Sequence, residues 1–201
     1  MSIERYKLAS GNILEVYQDS DIESPRMWDN LGTMLCFHNR YNLGDELEDD
    51  EKPDSFEGWD DLKDYLIRKC KGGVILPLYL MDHSGLSIST TPFSCRWDSG
   101  QVGFIYVTAD DIRKEYDVKE TEIPEDIIEK VTRCLEGEVE TYDQYLSGDV
   151  YGFCIVKEEM CNLNHKHRSI LDGCGGFYGS DIHTNGMLDH INDTLAETVE
   201  S

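Results

Sequence analysis

The stretch VGFIYVT, residues 102–108, is the clearest strand in the sequence, and ADDIRKEY, residues 109–116, follows it as a helix. β-Branched and aromatic residues dominate the first part, which is typical of a buried strand. Thr108 is placed to serve as the N-cap of the helix, and Asp110 and Asp111 lie in the first turn, where the helix dipole favours negative charge. This strand–cap–helix unit predicts a fold of mixed α and β structure.

The segment that leads into this strand, CRWDSGQVG at residues 95–103, is dense in polar side chains. We favour a structural corner, in which Asp98 and Ser99 bond backbone amides, Gly100 takes a positive φ and Trp97 packs its ring. The alternative is the wall of a ligand pocket. The sequence alone leaves both interpretations open.

Hydrophobic periodicity outlines the other elements. Strands are expected over residues 12–19, 31–38, 73–83 and 149–159, and helices over residues 58–73, 124–146 and about 186–197. The links between them are short, and no Pro-rich or Gly/Ser-rich linker divides the chain. The sequence therefore predicts a single α+β domain over residues 1–201, with a mainly antiparallel sheet and helices packed on one face.

The charge balance limits the partners that this chain can bind. There are 41 acidic residues against 18 basic ones, a formal net charge of −23. Such a charge repels nucleic acid and anionic membranes, so direct binding to either is not expected. The net charge equals that of roughly 39 Å of duplex DNA, close to the ~43 Å diameter estimated for a sphere of this chain length.

Cysteine usage and the N-terminus bear on the compartment. The seven cysteines are odd in number and without a regular spacing, which favours reduced thiols over a disulfide framework. The first residues are charged, and no long apolar stretch follows them, so neither a signal peptide nor a spanning helix is expected. We predict a cytoplasmic protein.

The acidic segment at residues 45–61 is the most unusual feature of the sequence, with ten Asp or Glu and one Lys. It is either a solvated, partly mobile loop or a surface that imitates the phosphate backbone of a nucleic acid. In the second case the contact residues are expected to include the outer carboxylates of the long helix and Asp45, Glu46, Glu48, Asp49, Asp50 and Glu51.

A second candidate site lies near two predicted strand ends. MDHSG, residues 81–85, supplies Asp82 and His83, and the corner segment supplies Trp97, Asp98 and Gln101. These residues form the alternative pocket, for a small molecule or a substrate. No G-x-S-x-G elbow or phosphate-binding glycine loop is present, so an enzyme is the less favoured interpretation and no cofactor is predicted.

Cys161, His165 and His167 are weak candidates for a metal site. Cys and His are natural zinc ligands, but structural zinc sites usually contain ligand pairs separated by two to four residues. Here only the two histidines are close in sequence. A polar hairpin is the preferred interpretation of this stretch, and no metal is predicted.

Four strings resemble a family of uncharacterised proteins carried by bacteriophages and other mobile elements. They are WDNLGTMLCFHNRYNLGDE (28–46), WDSGQVGFIYVTADDIRKEY (97–116), ETYDQYLSGDVYGF (140–153) and CGGFYGSD with NGMLDHI (174–191). They occur in this order and cover most of the chain. The resemblance implies a biological context and assigns no catalytic residue.

Small, strongly acidic phage proteins are often inhibitors of host defence, of the antirestriction or anti-CRISPR type. The resemblance and the charge together predict an anti-defence protein and DNA mimic in the host cytoplasm. Its expected partner is a defence nuclease or another nucleic-acid-binding protein, met through long-range attraction between the acidic surface and a basic channel. The oligomeric state is left open by the sequence.

Overall fold

The computed structural model describes residues 3–48, 51–120 and 122–199. The strands in chain order are β1 (Ile3–Leu8), β2 (Ile13–Gln18), β3 (Thr33–Cys36), β4 (Val74–Asp82), β5 (Leu86–Ser89), β6 (Ser99–Val107), β7 (Val150–Met160), β8 (Lys166–Tyr178) and β9 (Leu195–Val199). The α-helices are α1 (Trp59–Cys70), α2 (Ala109–Glu115) and α3 (Glu125–Ser147). All strand pairs are antiparallel and form two sheets, so the predicted α+β class is confirmed.

The chain divides into two compact units. Unit 1 comprises residues 1–23 and 148–201, and unit 2 comprises residues 24–147. Unit 1 contains a five-stranded sheet in the order β8-β7-β2-β1-β9. Its core forms because Leu14 and Val16 of β2 pack against Phe153 of β7 and Phe177 of β8.

The final helix expected at about residues 186–197 is wrong. The chain forms a short 3-10 helix at Met187–His190 and then strand β9. Ala9 donates its N–H to the carbonyl of Thr194 at 2.8 Å, and Leu195 pairs with Leu8 of β1. Pairing with β1 therefore outweighs the helical propensity of this stretch, which is a weak preference that tertiary contacts often override.

Unit 2 contains a four-stranded sheet in the order β3-β6-β4-β5, with helices on both of its faces. Successive side chains of a strand point to opposite faces. Ile105 and Val107 of β6 accordingly join the cluster that α3 covers, whereas Phe104 and Tyr106 join the cluster that α1 covers. The helices are thus not confined to one face, because β6 is apolar on both sides.

The predicted helix boundaries in unit 2 agree with the structure. Thr108 Oγ1 accepts the N–H of Asp111 at 3.2 Å and caps α2. The apolar stripe of α3 buries Val131, Leu135 and Val139 against the sheet. In the described part of the chain, none of the helices has the length and apolar character needed to cross a membrane.

All seven cysteines are free thiols, and they differ in their surroundings. Burial raises the pKa of the Cys36 thiol to about 12 and that of Cys70 to about 11. Cys95 and Cys174 are exposed. Since the thiolate is the reactive form, burial should suppress the reactivity of Cys36 and Cys70 both by excluding the reagent and by keeping the thiols protonated.

We expect iodoacetamide at about pH 8 to modify Cys95 and Cys174 at least ~10-fold faster than Cys36 and Cys70. Peptide mass spectrometry over a time course measures the four rates. The same experiment in denaturant should remove the difference. Equal rates for Cys36 and Cys95 in the native protein would contradict this placement of the core.

Candidate functional site

The acidic segment lies against α1 on one face of the sheet of unit 2. Leu47 and Phe56 of the segment pack with Leu62 and Leu66 of α1 against Phe104 of β6. The segment and the helix therefore present their exposed carboxylates from one packed layer. We call these residues the α1-side surface: Glu48, Asp54, Glu57, Asp60, Asp61 and Asp64. Glu46 instead lies at a cavity lined by Tyr142 and Tyr145 of α3.

Glu51 is not a surface residue, which corrects its assignment as a contact residue. Its side chain is 2% exposed and accepts hydrogen bonds from Lys69 Nζ at 2.7 Å and from the Tyr106 hydroxyl at 3.0 Å. Burial disfavours the charged form of Lys69, but the hydrogen bonds to Glu51 and Tyr106 outweigh it and raise the pKa of Lys69. Through these hydrogen bonds, Glu51 connects the acidic segment to α1 and β6.

Asp45 is likewise occupied within the fold. Its two carboxylate oxygens accept from Arg26 Nε and a terminal guanidinium nitrogen, both at 2.8 Å, and one also accepts the N–H of Met34 at 2.7 Å. The Arg26 side chain is 4% exposed and also donates to Glu138 at 3.0 Å. Asp45 is therefore a partner of a buried guanidinium rather than a free surface charge.

The other four predicted contact residues differ in where the structure places them. Glu46 and Glu48 are exposed, and Glu48 Oε2 lies 3.5 Å from Lys69 Nζ. Asp49 and Asp50 lie outside the described residues. Glu46 and Glu48 are thus the two predicted contact residues that the structure places at the surface.

The outer carboxylates of α3 do not extend the α1-side surface, because α3 covers the opposite face of the same sheet. The exposed members of this set are Glu125, Asp126, Glu129, Glu136 and Glu140. Asp143 of α3 instead accepts from the Ser87 hydroxyl and the Ile88 N–H of β5. A single acidic face built from α1 and α3 together is therefore not formed.

An aromatic slot opens beside the α1-side carboxylates. Phe37 stacks with Phe56 and with Trp59, at centroid distances of 6.2 and 6.0 Å. The cavity that these rings line has a volume of about 200 Å³, and Glu57 is at its wall. Aromatic faces beside a carboxylate attract a cationic side chain.

A second cavity, of about 410 Å³, lies at the ends of three strands, and we call it the strand-end pocket. It exists because β3 pairs with β6 only as far as Gly103, whereas β6 begins at Ser99. The chain leaves β3 through His38 and Arg40, which close the other side of the cavity. The alternative pocket of the sequence therefore corresponds to a real concavity.

Four of the five residues predicted for that pocket line it: Asp82, Trp97, Asp98 and Gln101. The fifth, His83, reaches it indirectly, because its Nδ1 lies 3.0 Å from Asp98 Oδ2. The ends of β4 and β6 are joined by the Asp82 N–H, which donates to the Asp98 carbonyl at 2.8 Å. This backbone bond brings the two polar clusters together.

The ionised groups of the strand-end pocket are paired. Arg40 forms a salt bridge with Asp82 Oδ2, to which the Tyr41 hydroxyl also donates at 3.3 Å. His38 Nδ1 accepts the backbone N–H groups of Arg40 and Tyr41, both at 3.3 Å. Its ring proton is consequently on Nε2, which makes His38 a hydrogen-bond donor at that nitrogen.

The corner interpretation of residues 95–103 is only partly right. Ser99 donates its hydroxyl to the Cys95 carbonyl, which is a turn contact but not the expected bond to a backbone amide. However, Trp97 is 97% exposed instead of packed, and Gly100 is not among the positive-φ residues. Asp98 bonds His83 and Cys95 Sγ rather than backbone amides. These polar groups therefore face a cavity more than they stabilise a corner.

The geometry around Asp98 differs from a nucleophilic triad. Cys95 Sγ and His83 Nδ1 both contact Asp98 Oδ2, at 3.6 and 3.0 Å. In a triad the histidine stands between the nucleophile and the carboxylate, and its second nitrogen takes the proton. The arrangement supports hydrogen bonding to a ligand rather than covalent catalysis.

Cys161 and His165 lie in the turn between β7 and β8, and His167 lies in β8 opposite Glu159 of β7. Cys161 donates its N–H to the carbonyl of His165 at 2.9 Å. No group of three His, Cys, Asp or Glu side chains within residues 3–48, 51–120 and 122–199 is arranged to hold a metal ion. The hairpin predicted for this stretch is confirmed.

Comparisons of the chain with protein-family models, with curated proteins and with solved structures found no match.

Sequence reasoning missed the residues that come to these sites from a distance. His38 and Arg40 lie about 60 residues before β6 in the sequence, and Phe37 lies 22 residues before Trp59. A run of aromatic residues after β3 would have been the available signal. Only the pairing of β3 with β6 brings these side chains to the pocket and the slot.

Proposed function

We propose that the protein binds a basic, nucleic-acid-handling partner through the α1-side surface, with carboxylates in the positions that phosphates would occupy. The observation that carries this proposal is the set of exposed carboxylates beside an aromatic slot on the side of unit 2 that α1 covers. Electrostatic attraction of this kind accelerates association and selects partners of opposite charge.

The exposed charge of the α1-side surface is moderate. Among the described residues of 47–70, six carboxylates and three basic side chains (Lys52, Lys63 and Arg68) are exposed, a net charge of about −3. This is the phosphate charge of ~10 Å of one DNA strand or ~5 Å of a duplex. The surface therefore suits a short contact with a channel for a single strand, or with one edge of a duplex-binding groove.

The aromatic slot provides apolar contact area, which a purely acidic surface lacks. Binding energy at interfaces is usually concentrated in a few buried aromatic or arginine contacts. An Arg or Lys of the partner that enters the slot would meet the rings of Phe37, Phe56 and Trp59 and the carboxylate of Glu57. The surrounding carboxylates would orient the encounter, and the slot would slow dissociation.

The biological role that fits this surface is that of an anti-defence protein of a phage or mobile element. The resemblance in four sequence strings and the net charge of −23 support it. The expected partner is a restriction nuclease or a CRISPR effector in the host cytoplasm. Such proteins hold nucleic acid through basic side chains, which is the complement of the α1-side surface.

Neutralising the α1-side surface should weaken inhibition of such a nuclease. We expect the triple variant Glu57→Gln, Asp60→Asn and Asp64→Asn to raise the half-inhibitory concentration at least ~10-fold, because three contacts of opposite charge are lost. The matched control is the triple variant Glu129→Gln, Glu136→Gln and Glu140→Gln, which removes the same charge from α3. It should change inhibition by no more than ~2-fold.

The measurement is cleavage of a labelled DNA by purified host restriction and CRISPR nucleases, titrated with the protein at two salt concentrations. Inhibition should compete with DNA and weaken as salt is raised. Equal losses for the two triple variants, or inhibition that does not depend on salt, would contradict the proposal. Failure to inhibit any of these nucleases would contradict the anti-defence role.

A further inference from the structure

The charged groups of the strand-end pocket already have partners within the fold. Asp82 is paired with Arg40, and Asp98 is bonded to His83. A charged ligand would have to break one of these pairs and leave a carboxylate or a guanidinium without its partner. An uncharged ligand that forms hydrogen bonds can instead use the remaining capacity of the same groups.

Trp97 defines the apolar part of the pocket. An indole that becomes covered buries ~150–250 Å² of surface, and the Trp97 side chain is 97% exposed. Large apolar side chains that are exposed beside polar groups are typical of binding sites. The ring offers a flat face to one side of a ligand, while polar groups line the cavity beside it.

Both hydrogen-bond donors and hydrogen-bond acceptors line this cavity. Asp82 and Asp98 provide carboxylate oxygens, Gln101 provides both an acceptor and a donor, and His38 Nε2 provides a donor. A hydroxyl group both donates and accepts, so a ring that carries several hydroxyls can satisfy such a mixed set. The volume of about 410 Å³ is at the lower end of ligand pockets, which limits the ligand to one or two rings.

We propose that the strand-end pocket binds an uncharged saccharide, with a sugar ring stacked on Trp97 and its hydroxyls bonded by Asp98 and Gln101. The C–H face of a sugar ring is flat and apolar, which suits the indole, and its hydroxyls suit the paired carboxylates. A nucleotide is disfavoured, because its phosphates would meet Asp82 and Asp98 while Arg40 is already engaged. This site does not depend on the α1-side surface.

The test uses the full-length protein on an array of bacterial and common saccharides, followed by saturation-transfer NMR with the retained mono- and disaccharides. We expect dissociation constants of ~0.1–10 mM, the range of a small polar ligand in an open pocket. Trp97→Ala and Gln101→Ala should each weaken binding at least ~10-fold, since stacking and hydrogen bonding are both required. Trp97→Phe should retain part of the affinity.

The matched control is Ile67→Ala, which removes an exposed apolar side chain of α1 away from the pocket and should change binding by less than ~2-fold. The α1-side triple variant should bind saccharide normally, which separates failure of this proposal from failure of the proposed function. No saccharide bound up to ~10 mM would overturn the inference. Binding of adenosine without any saccharide, or saccharide binding that survives Trp97→Ala, would overturn it too.

Discussion

Replacing Gly103 with Ala is expected to destabilise the protein by at least ~4 kcal/mol, because an added methyl group would collide with the neighbouring strand. A Cβ at Gly103 would lie 1.8 Å from the carbonyl oxygen of Leu35 and 3.1 Å from Cys36 Cα. These are backbone atoms of β3, which pairs with β6 at this position. The clash can be relieved only if the two strands separate.

Gly100 is the matched control, since it lies in the same strand and no heavy atom is within 4 Å of a Cβ built there. Gly100→Ala should be neutral or stabilising by up to ~1 kcal/mol, because Ala loses less backbone entropy on folding. Urea unfolding followed by circular dichroism compares the two variants. Similar unfolding midpoints would show that β3 does not approach β6 in this way.

The two glycines also show what local sequence can predict. Both belong to SGQVGFIYV, and the strand was predicted from the apolar residues that follow them. Nothing in that string distinguishes the glycine that touches another strand from the one beside open space. The distinction depends on Leu35, which lies more than 60 residues earlier. Pairing between distant strands is not encoded in a short window.

The same difference between local signals and distant pairing explains which elements of the fold were predicted. The helices α1, α2 and α3 were predicted because an apolar stripe and a cap are local signals. By contrast, β1 and β9 were missed: IERYKL contains three charged residues, and LAETV favours a helix by propensity. These two strands exist because they pair with each other at one edge of the sheet, next to β2.

The candidate sites were predicted in part. Asp82, Asp98 and Gln101 were grouped correctly, since strand ends collect polar side chains and these two strands are neighbours. Charge alone could not separate Asp45 from Glu46, which are adjacent acidic residues. The first is held by Arg26 and the second is exposed. Only the position of the distant guanidinium distinguishes a structural carboxylate from a contact residue.

The guanidinium of Arg26 is the basis of the second large expected effect on stability. Arg26→Met should destabilise the protein by ~3–5 kcal/mol, because it leaves partly buried carboxylates without their counter-charge. Arg26 donates to Asp45, to Glu138 and to the Gly32 carbonyl, the last at 2.6 Å. Hydrogen bonds to the two carboxylates raise the pKa of Arg26 although burial opposes its charge, so the group stays protonated.

Arg40→Met is the matched control, since it removes the same charge and side-chain type from an exposed pair with Asp82 and should cost less than ~1 kcal/mol. Adding Asp45→Asn to Arg26→Met should cost less than the sum of the single changes, because the carboxylate that needs the guanidinium is then gone. Additive losses in urea unfolding, or equal losses for Arg26→Met and Arg40→Met, would mean that the cluster contributes only surface electrostatics. Coupling between Arg26 and Asp45 would confirm that Asp45 has a structural role in unit 2. The α1-side surface would then consist of exposed carboxylates that follow Asp45 in the chain.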